Sequence, residues 1–371
     1  MRHKLFFLLL LLTSTGLHLA AQHNKKAVAA SSSPVVIPGT HTVSITSKIV
    51  SGQEYTLQIH LPSHYSDTSK RFPVLYLLDS QWDFPLLVAI NGEQFYDGFI
   101  PGIITVGITW GGKDANPDKL RARDFTPSHV KELENSGKAA EFLSFIKKEL
   151  IPFIDAAYRT KKDDRTLVGS SFGGLFTLYA LFHETDLFKR YVLTSPSLQW
   201  DNGITYAFEK AFAARRADLP VRLFMAHGEA EGNVDVFQKW VDQLKARNYK
   251  GLEMQTRILE NTGHSGTKAE GYTRGLQWVF ARPSVQLPET VLRQYVGKYV
   301  LGKDTLQIVV ENGALVGLAP GNQRAVFTAA SAEEFYSTAA KITLVFKKEN
   351  EKVSGFLFER NNEKVFVKKI D

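Results

Sequence analysis

Residues 165–182 read RTLVGSSFGGLFTLYALF, which is typical of a strand, a tight turn and a helix in that order. Gly169, Ser171 and Gly173 match the pattern G-x-S-x-G, in which a sharp strand-to-helix turn lifts a serine clear of a sheet. We expect glycine on both sides of Ser171 because strand and helix approach too closely there for a side chain. The stretch therefore predicts a nucleophilic serine rather than an ordinary capped helix.

Short apolar runs elsewhere in the chain predict further strands of the same sheet. These runs lie at 41–50, 55–62, 72–79, 102–110, 190–196, 221–228 and 252–260. Helical patterns stand between them at 138–158, 172–182, 234–248 and 270–282. Strands that alternate with helices favour an α/β fold, with a mostly parallel central sheet and helices on both faces.

The character of the sequence changes after Pro283 and Pro288. From Val291 onward the long helical patterns stop, and short alternating runs are joined by turns such as Glu311-Asn312-Gly313. We therefore predict an α/β domain over 41–282, a linker over 283–290 and a small antiparallel β-domain over 291–371. The β-domain is expected to be a barrel or a sandwich.

The first residues have the pattern of a secretory signal peptide. Arg2 and Lys4 precede the apolar run 5–12, and small residues follow up to Ala21. The apolar run is shorter than the roughly 20 residues that a bilayer requires. We expect cleavage after Ala21, a flexible leader over 22–40, and an exported protein (periplasmic or secreted) without a stable membrane anchor.

The composition excludes several classes of chemistry. The chain has no cysteine, so disulfides, thiolate nucleophiles and cysteine metal sites are absent. The formal net charge of +7 is spread along the sequence rather than gathered in one stripe, which does not favour nucleic-acid binding. We predict no metal and no cofactor. The sequence does not indicate an oligomeric state.

A serine nucleophile needs a base within hydrogen-bond reach and usually an acid behind that base. His264 is the histidine that follows the last predicted strand of the sheet and precedes the last helix, so it is our candidate base. The acid is expected just after the strand 221–228. The third position after Gly228 favours Glu231, and Glu229 and Asp235 remain alternatives.

The tetrahedral intermediate of ester cleavage needs two hydrogen-bond donors for its oxyanion. The backbone N–H of Phe172, next to the nucleophile, is the first candidate. The second is expected in the loop after the strand 72–79, where we select the backbone of Gln81. Ser80 and Trp82 are close alternatives.

Candidate substrate-binding residues lie near predicted strand ends. The segment 111–137 predicts a long polar loop, and such loops are usually functional or mobile. Its Arg121 and Arg123 are candidates for holding an acidic or catecholate substrate, although Arg123 is equally suited to an ion pair with Asp124. Further candidates are tryptophans just after strand ends, which together favour a flat or aromatic ester: Trp82, Trp110 and Trp200.

Several fragments together resemble one branch of the α/β-hydrolases. They are FPVLYLLDSQWDF (72–84), RARDFTP (121–127), VGSSFGG (168–174), TSPSLQW (194–200) and NTGHSG (261–266). The branch includes enterobactin and other siderophore esterases, esterase D and mycolyl transferases. The resemblance implies an α/β-hydrolase fold over residues 41–282 and a triad of Ser171, Glu231 and His264. The tail is similar to small β-domains appended to some serine hydrolases.

The sequence thus predicts a carboxylic ester hydrolase that works through an acyl-enzyme intermediate. A siderophore-type ester, or another aryl or sugar ester, is the expected small-molecule substrate. Two alternatives remain: an acyltransferase that uses the same triad, and a non-catalytic binding protein that keeps the serine turn without its chemistry.

Overall fold

The computed structural model describes residues 34–360 and 363–370. The predicted signal peptide (1–21) and most of the predicted leader (22–40) lie outside the described residues. In the part of the chain that is described, no helix is long and apolar enough to cross a membrane.

An eight-stranded sheet forms the centre of the first part of the chain. Its strands are β1 (Thr40–Thr46), β2 (Glu54–His60), β3 (Phe72–Leu77), β4 (Ile104–Trp110), β5 (Thr160–Ser170), β6 (Arg190–Thr194), β7 (Arg222–Gly228) and β8 (Glu253–Leu259). Their order in the sheet is β1-β2-β4-β3-β5-β6-β7-β8. β1 and β2 pair antiparallel, as do β2 and β4, whereas all the other pairs are parallel.

Helices cover both faces of this sheet, so the predicted α/β class is confirmed. They are α1 (Ser80–Tyr96), α2 (Pro117–Phe125), α3 (Ala139–Phe145), α4 (Ile151–Ala157), α5 (Phe172–His183), α6 (Thr205–Ala213), α7 (Val234–Arg247) and α8 (Thr267–Val279). A π-helical turn, Ile146–Leu150, joins α3 to α4. One face buries Leu87 of α1 and Leu276 of α8, and the other buries Phe142, Phe176 and Trp240.

Three of these helices were not predicted from the sequence: α1, α2 and α6. The segment 111–137, interpreted as a long polar loop, contains α2. The Asn116 side chain caps this helix by accepting a hydrogen bond from the Lys119 N–H, and Pro117 stands at its start. Both features are typical helix-start signals, so the sequence does carry a local sign of α2.

The register of the sheet brings four strand ends to one edge. Ser170 at the end of β5 is paired with Thr194 at the end of β6, and Thr194 is paired with Ala226 of β7. Because these strands are parallel, the loops that follow them lie side by side. This edge carries Ser171, the loop after Thr194, the loop after β7 and the loop after β8.

A second sheet closes into a barrel. Its strands are β9 (Gly297–Leu301), β10 (Asp304–Glu311), β11 (Ala314–Ala319), β12 (Gln323–Ala329), β13 (Glu334–Ser337), β14 (Ile342–Glu349), β15 (Lys352–Arg360) and β16 (Glu363–Lys369). All neighbours are antiparallel, and β16 pairs with β9 to close the ring. A short helix, α9 (Glu289–Leu292), precedes the barrel. The predicted small antiparallel β-domain is therefore confirmed as a barrel rather than a sandwich.

Candidate active site

Ser171 stands at the sharp turn between β5 and α5. Its backbone angles are φ 58° and ψ −119°, a conformation that is costly for a residue with a side chain. Such strain is typical of a nucleophile held on a strand-to-helix turn. The Ser171 N–H donates to the Thr194 carbonyl at 3.1 Å, which ties the turn to the neighbouring strand.

The glycines around Ser171 differ in how much they are needed. A Cβ on Gly169 would lie 2.5 Å from the carbonyl oxygen of Gly173, so a side chain cannot fit there. A Cβ on Gly173 would meet nothing closer than 3.4 Å, which is an ordinary contact. The crowding expected from the sequence therefore applies to Gly169 and not to Gly173.

Glu231 and His264 meet at the same edge of the sheet. Nδ1 of His264 lies 2.5 Å from Oε2 of Glu231. An ionised carboxylate can only accept hydrogen bonds, so Nδ1–H donates and Nε2 is left free to act as a base. The His264 side chain is 52% exposed, whereas the Glu231 side chain is 8% exposed.

Three donors hold the Glu231 carboxylate. Besides His264, they are the hydroxyl of Ser195 at 2.5 Å and the backbone N–H of Gly228 at 2.8 Å, both on Oε1. Burial alone raises the pKa of Glu231, but these hydrogen bonds outweigh it, and the pKa is held below its usual value. Glu231 is therefore suited to remain ionised behind His264.

The alternative acids lie elsewhere. Glu229 accepts a hydrogen bond from the backbone N–H of Asn261 at 2.9 Å. Asp235 is exposed on the first turn of α7 and forms an ion pair with Lys239 at 3.6 Å. Neither carboxylate contacts His264 in the described part of the chain.

Ser171 Oγ makes no hydrogen bond to His264 within the residues that the structure describes. Both residues nevertheless follow strands that end at the same edge of the sheet. Catalytic hydrogen bonds of this kind are often long in ligand-free enzymes and tighten when substrate binds.

The start of α5 and the start of α1 offer backbone donors for an oxyanion. The N–H of Phe172, in the first turn of α5, has no hydrogen-bond acceptor among the described residues. In α1 the N–H of Trp82 donates to the Asp79 carbonyl at 3.1 Å and is thereby occupied. The N–H groups of Ser80 and Gln81 have no such acceptor in the described chain, and Ser80 is fully buried. Gln81 is the more accessible of the two.

Arg121 joins these two helix starts. Its guanidinium donates two hydrogen bonds of 2.9 Å to the carboxylate of Asp79, the residue that begins α1 with φ 54°. The same guanidinium lies over the ring of Phe172, with its carbon 5.0 Å from the ring centre. Arg121 was predicted to bind substrate, and the structure shows its charge already paired with Asp79.

Two other predicted substrate residues face the interior. Arg123 forms an ion pair with the fully buried Asp124, which is the structural alternative that the sequence left open. Trp110 is 6% exposed, and its Nε1–H donates to Asp124 at 2.7 Å. The structure therefore does not bring Arg123 and Trp110 to Ser171.

The remaining predicted tryptophans do lie near the serine turn. Trp82 is 50% exposed and lies 5.6 Å from the Arg121 guanidinium. Trp200 packs edge-on against Phe172, with ring centres 5.2 Å apart, and its Nε1–H donates to Ser128. Phe172, Trp82 and Trp200 thus form an aromatic surface beside Ser171.

A cavity of about 420 Å³ opens beside Glu231 and His264. It is lined by the loop 195–199, by Glu231 and His264, and by Asn233 and Phe237. His227 lies against Phe237 within it, with ring centres 5.3 Å apart. The cavity is large enough for part of an ester substrate and reaches the base directly.

Sequence reasoning missed Ser195, Asp79 and Thr267. Ser195 is buried, has φ 45° and holds Glu231. The Thr267 hydroxyl donates to the His264 carbonyl at 2.7 Å and fixes the loop that carries the base. Ser195 lies in the TSPSLQW fragment, whose position just after a strand was the only available sign of a role.

The chain is similar to several known proteins. A model of the family described as "Putative esterase" matches residues 47–298. Ferri-bacillibactin esterase BesA of Bacillus subtilis is 31% identical over 217 residues, which cover 54% of this chain and 73% of the relative. Siderophore triacetylfusarinine C esterase of Aspergillus fumigatus is 27% identical over 205 residues, covering 52% and 68%.

Solved structures give the same picture for the α/β part of the chain. The BES protein from Bacillus cereus superposes with a TM-score of 0.60 at 26% identity, covering 67% of this chain and 97% of that protein. An IroE-like serine hydrolase from Shewanella oneidensis gives 0.59 at 26% identity, covering 65% and 80%.

Proposed function

Because the chain belongs to the "Putative esterase" family and is a carboxylic ester hydrolase, we propose that it is an exported serine esterase with an acyl-enzyme intermediate. The observation that carries the proposal is the hydrogen bond between His264 and the buried Glu231, at the sheet edge where Ser171 stands strained.

In the proposed reaction, His264 Nε2 takes the proton of the Ser171 hydroxyl as Oγ attacks the ester carbonyl carbon. Negative charge develops on the carbonyl oxygen, and the N–H groups of Phe172 and Gln81 donate to it. The imidazolium then gives its proton to the departing alcohol oxygen, which leaves an acyl group on Ser171. Water, activated by the same imidazole, releases the acid.

Glu231 stabilises the imidazolium that forms in each half of this cycle. Its lowered pKa keeps it ionised at neutral pH, so a negative charge faces Nδ1 when His264 carries two protons. The hydrogen bonds from Ser195 and Gly228 prevent the carboxylate from turning away.

We propose a siderophore-type ester as the substrate class. Two relatives carry names that assign them siderophore esters, ferri-bacillibactin and triacetylfusarinine C. In this chain the aromatic surface of Phe172, Trp82 and Trp200 suits a flat aryl group next to the reacting ester. Export is proposed from the pattern of residues 1–21, and amino-terminal sequencing of the protein from cell fractions tests it.

The test of the mechanism is active-site labelling combined with hydrolysis. A fluorophosphonate should label the wild-type protein and the Ser170→Ala variant, but not Ser171→Ala. Ser170 is the matched control because its buried hydroxyl has no hydrogen-bond partner among the described residues. We expect Ser171→Ala to lose several powers of ten in turnover of an aryl ester, with its melting temperature unchanged.

A panel of substrates then separates the ester classes. Catecholate trilactones, aryl esters and feruloylated or acetylated sugars should be compared by kcat/KM, with and without an acceptor alcohol. Preference for the trilactone supports the proposed class, and faster turnover of the sugar esters contradicts it. Transfer to the alcohol in preference to water would make the protein an acyltransferase.

A further inference from the structure

The two ends of the barrel are filled differently. At one end, Tyr295, in the turn that follows α9, is fully buried, and its ring centre lies 4.3 Å from that of Phe346. Phe335 and Phe356 pack around the same Phe346 ring at 5.6 and 5.2 Å. This end is closed by aromatic side chains.

The other end contains a cavity of about 300 Å³. The side chains that line it are small where β11 pairs with β12. They belong to Gly317, Ala319 and Ala325. A Cβ on Gly317 would lie 3.0 Å from the ring of Phe327, so a side chain there would press against that ring. Small residues on two adjacent strands therefore leave open the space that larger side chains would fill.

Apolar side chains line this space without filling it. They remain only partly buried although they face the barrel interior: Leu301, Leu306, Ile342 and Phe358. An eight-stranded barrel is just wide enough either to be filled by its own side chains or to hold one small ligand. The closed end is filled by its own side chains, whereas the open end has the room that a small ligand requires.

The rim of the cavity is charged. Arg324 lies on it but is paired with Glu311 at 2.7 Å, and Asp304 and Gln323 are also present. Arg360 lies on the rim and has no carboxylate within ion-pair distance in the described part of the chain. An unneutralised guanidinium at the mouth of an apolar cavity is suited to a carboxylate.

A second observation supports the positive charge at the rim of the cavity. Arg360 also lines a cleft of about 540 Å³ between the barrel and the α/β part of the chain. Six basic side chains and a single carboxylate, Glu359, line that cleft. The basic residues are Lys70, Arg71, Lys161, Lys341, Arg360 and Lys364. These residues come from four separate segments of the chain, so the positive region that the fold assembles was not visible as a basic stripe. Lys70 is paired with Asp67 and Lys364 with Glu359, and the other four basic side chains form no ion pair in the described part of the chain.

We propose that the open end of the barrel binds one medium-chain fatty carboxylate. The alkyl chain enters between Leu306, Phe327 and Ile342, and the carboxylate stays at the rim beside Arg360. All proposed catalytic residues belong to the α/β part of the chain, so this site is separate from ester hydrolysis. It needs no change in the proposed mechanism.

The experiment is a calorimetric titration of the full chain with hexanoate, octanoate and decanoate. We expect one site per chain and an affinity that rises about fourfold per added methylene, which corresponds to about 0.8 kcal/mol. Decanol, which lacks the carboxylate, should bind about tenfold more weakly than decanoate.

Three variants and two controls locate the ligand. Ala325→Phe fills the cavity and should abolish decanoate binding, and Ala319→Leu does the same from the neighbouring strand if the first variant folds poorly. The matched control is Val326→Leu, because Val326 is adjacent in β12, points outward and is 53% exposed. Arg360→Gln should weaken decanoate about tenfold and leave decanol unchanged, whereas Arg293→Gln, near the closed end, should change neither.

Two results would overturn the proposal. Absence of saturable decanoate binding to the wild-type chain excludes the site directly. Unchanged decanoate affinity in a folded Ala325→Phe or Ala319→Leu variant places the ligand elsewhere, with the cavity beside His264 as the obvious alternative. Neither readout depends on esterase activity, so a failure here is distinct from a failure of the proposed reaction.

Discussion

The hydroxyl of Ser195 donates a hydrogen bond of 2.5 Å to Oε1 of Glu231, while His264 uses the other oxygen of the same carboxylate. The two donors come from loops that follow different strands, β6 and β8. The carboxylate is thus fixed from two sides, and its orientation does not depend on the histidine alone.

Removing the Ser195 hydroxyl should weaken catalysis without abolishing it. We expect Ser195→Ala to lower kcat by about tenfold to a hundredfold, because a hydrogen bond to a charged group contributes about 1.5–3 kcal/mol. The matched control is Ser170→Ala, which should behave as wild type because the buried Ser170 hydroxyl has no hydrogen-bond partner among the described residues. Equal kinetics for both variants would show that Glu231 is held well enough without Ser195.

The same variant has a predictable pH signature. Ser195 helps to keep the pKa of Glu231 below its ordinary value of 4.5, so the stability that it contributes is complete above that value. This contribution is lost as the pH falls through the lowered pKa. The difference in unfolding free energy between wild type and Ser195→Ala should therefore be largest near neutral pH and shrink on acidification. A difference that is constant with pH would mean that Ser195 acts by packing.

The identity of the acid can be tested by three amide substitutions. Glu231→Gln should lower turnover strongly, because the amide cannot stabilise an imidazolium as a carboxylate does. Asp235→Asn and Glu229→Gln should leave turnover nearly unchanged, since neither side chain contacts His264 in the described structure. A large loss of turnover in Asp235→Asn alone would identify Asp235 of α7 as the acid. Little loss of turnover in all three variants would indicate a serine–histidine pair.

Arg121 is expected to position the oxyanion donors rather than to bind substrate. Its two hydrogen bonds to Asp79 hold the start of α1, and its face holds Phe172. Arg121→Leu should therefore lower kcat by about a hundredfold with little change in KM, and Arg121→Lys should recover only part of it. A raised KM with unchanged kcat would restore the substrate-binding interpretation.

Arg123, unlike Arg121, is expected to affect the stability of the fold rather than catalysis. Its loss leaves the fully buried Asp124 without its ion-pair partner, so Arg123→Leu should destabilise the fold by about 3–5 kcal/mol. The activity of the fraction that remains folded should be normal. Thermal unfolding measured beside kcat distinguishes the two arginines.

The sequence was most informative where the signal was local. The serine turn is encoded within seven residues, and the order of serine, acid and histidine follows the order of the strands. Contacts that join distant segments left no such signal, as in the Arg121–Asp79 pair, which spans 42 positions. Trp110 is enclosed because both faces of β4 are covered, and its side chain points towards Asp124.

Helix α1 shows a second limit of sequence reasoning. Its sequence, SQWDFPLLVAINGEQFY, includes Pro85 and Gly92, both of which disfavour a helix interior. Tertiary packing decides the outcome: Phe84, Leu87 and Val88 are buried against the sheet. Asp83 also forms an ion pair with Lys268 and accepts a hydrogen bond from the hydroxyl of Tyr272. These contacts join α1 to α8, and no local sequence pattern could indicate them.

The last prediction concerns the barrel. A chain that ends at Pro283 should fold and hydrolyse a small aryl ester within about tenfold of the full-length rate. Leu292, Tyr295 and Tyr299, which stand where the chain enters the barrel, belong to the core of the barrel itself. Removing the barrel therefore does not expose an apolar core that the barrel shares with the α/β part.

The contacts that this truncation would break are mostly polar. Arg282 pairs with Glu334 at 2.6 Å, and the Lys341 ammonium lies 3.7 Å from the ring centre of Tyr96. Exposed contacts of this kind contribute little to stability, so the shortened chain should unfold cooperatively near the melting temperature of the α/β part in the full chain. If the shortened chain folds but has lost its activity, the barrel must help to build the substrate cleft. In that case the decanoate site and the esterase site would be expected to influence each other, and decanoate should change KM in the full-length enzyme.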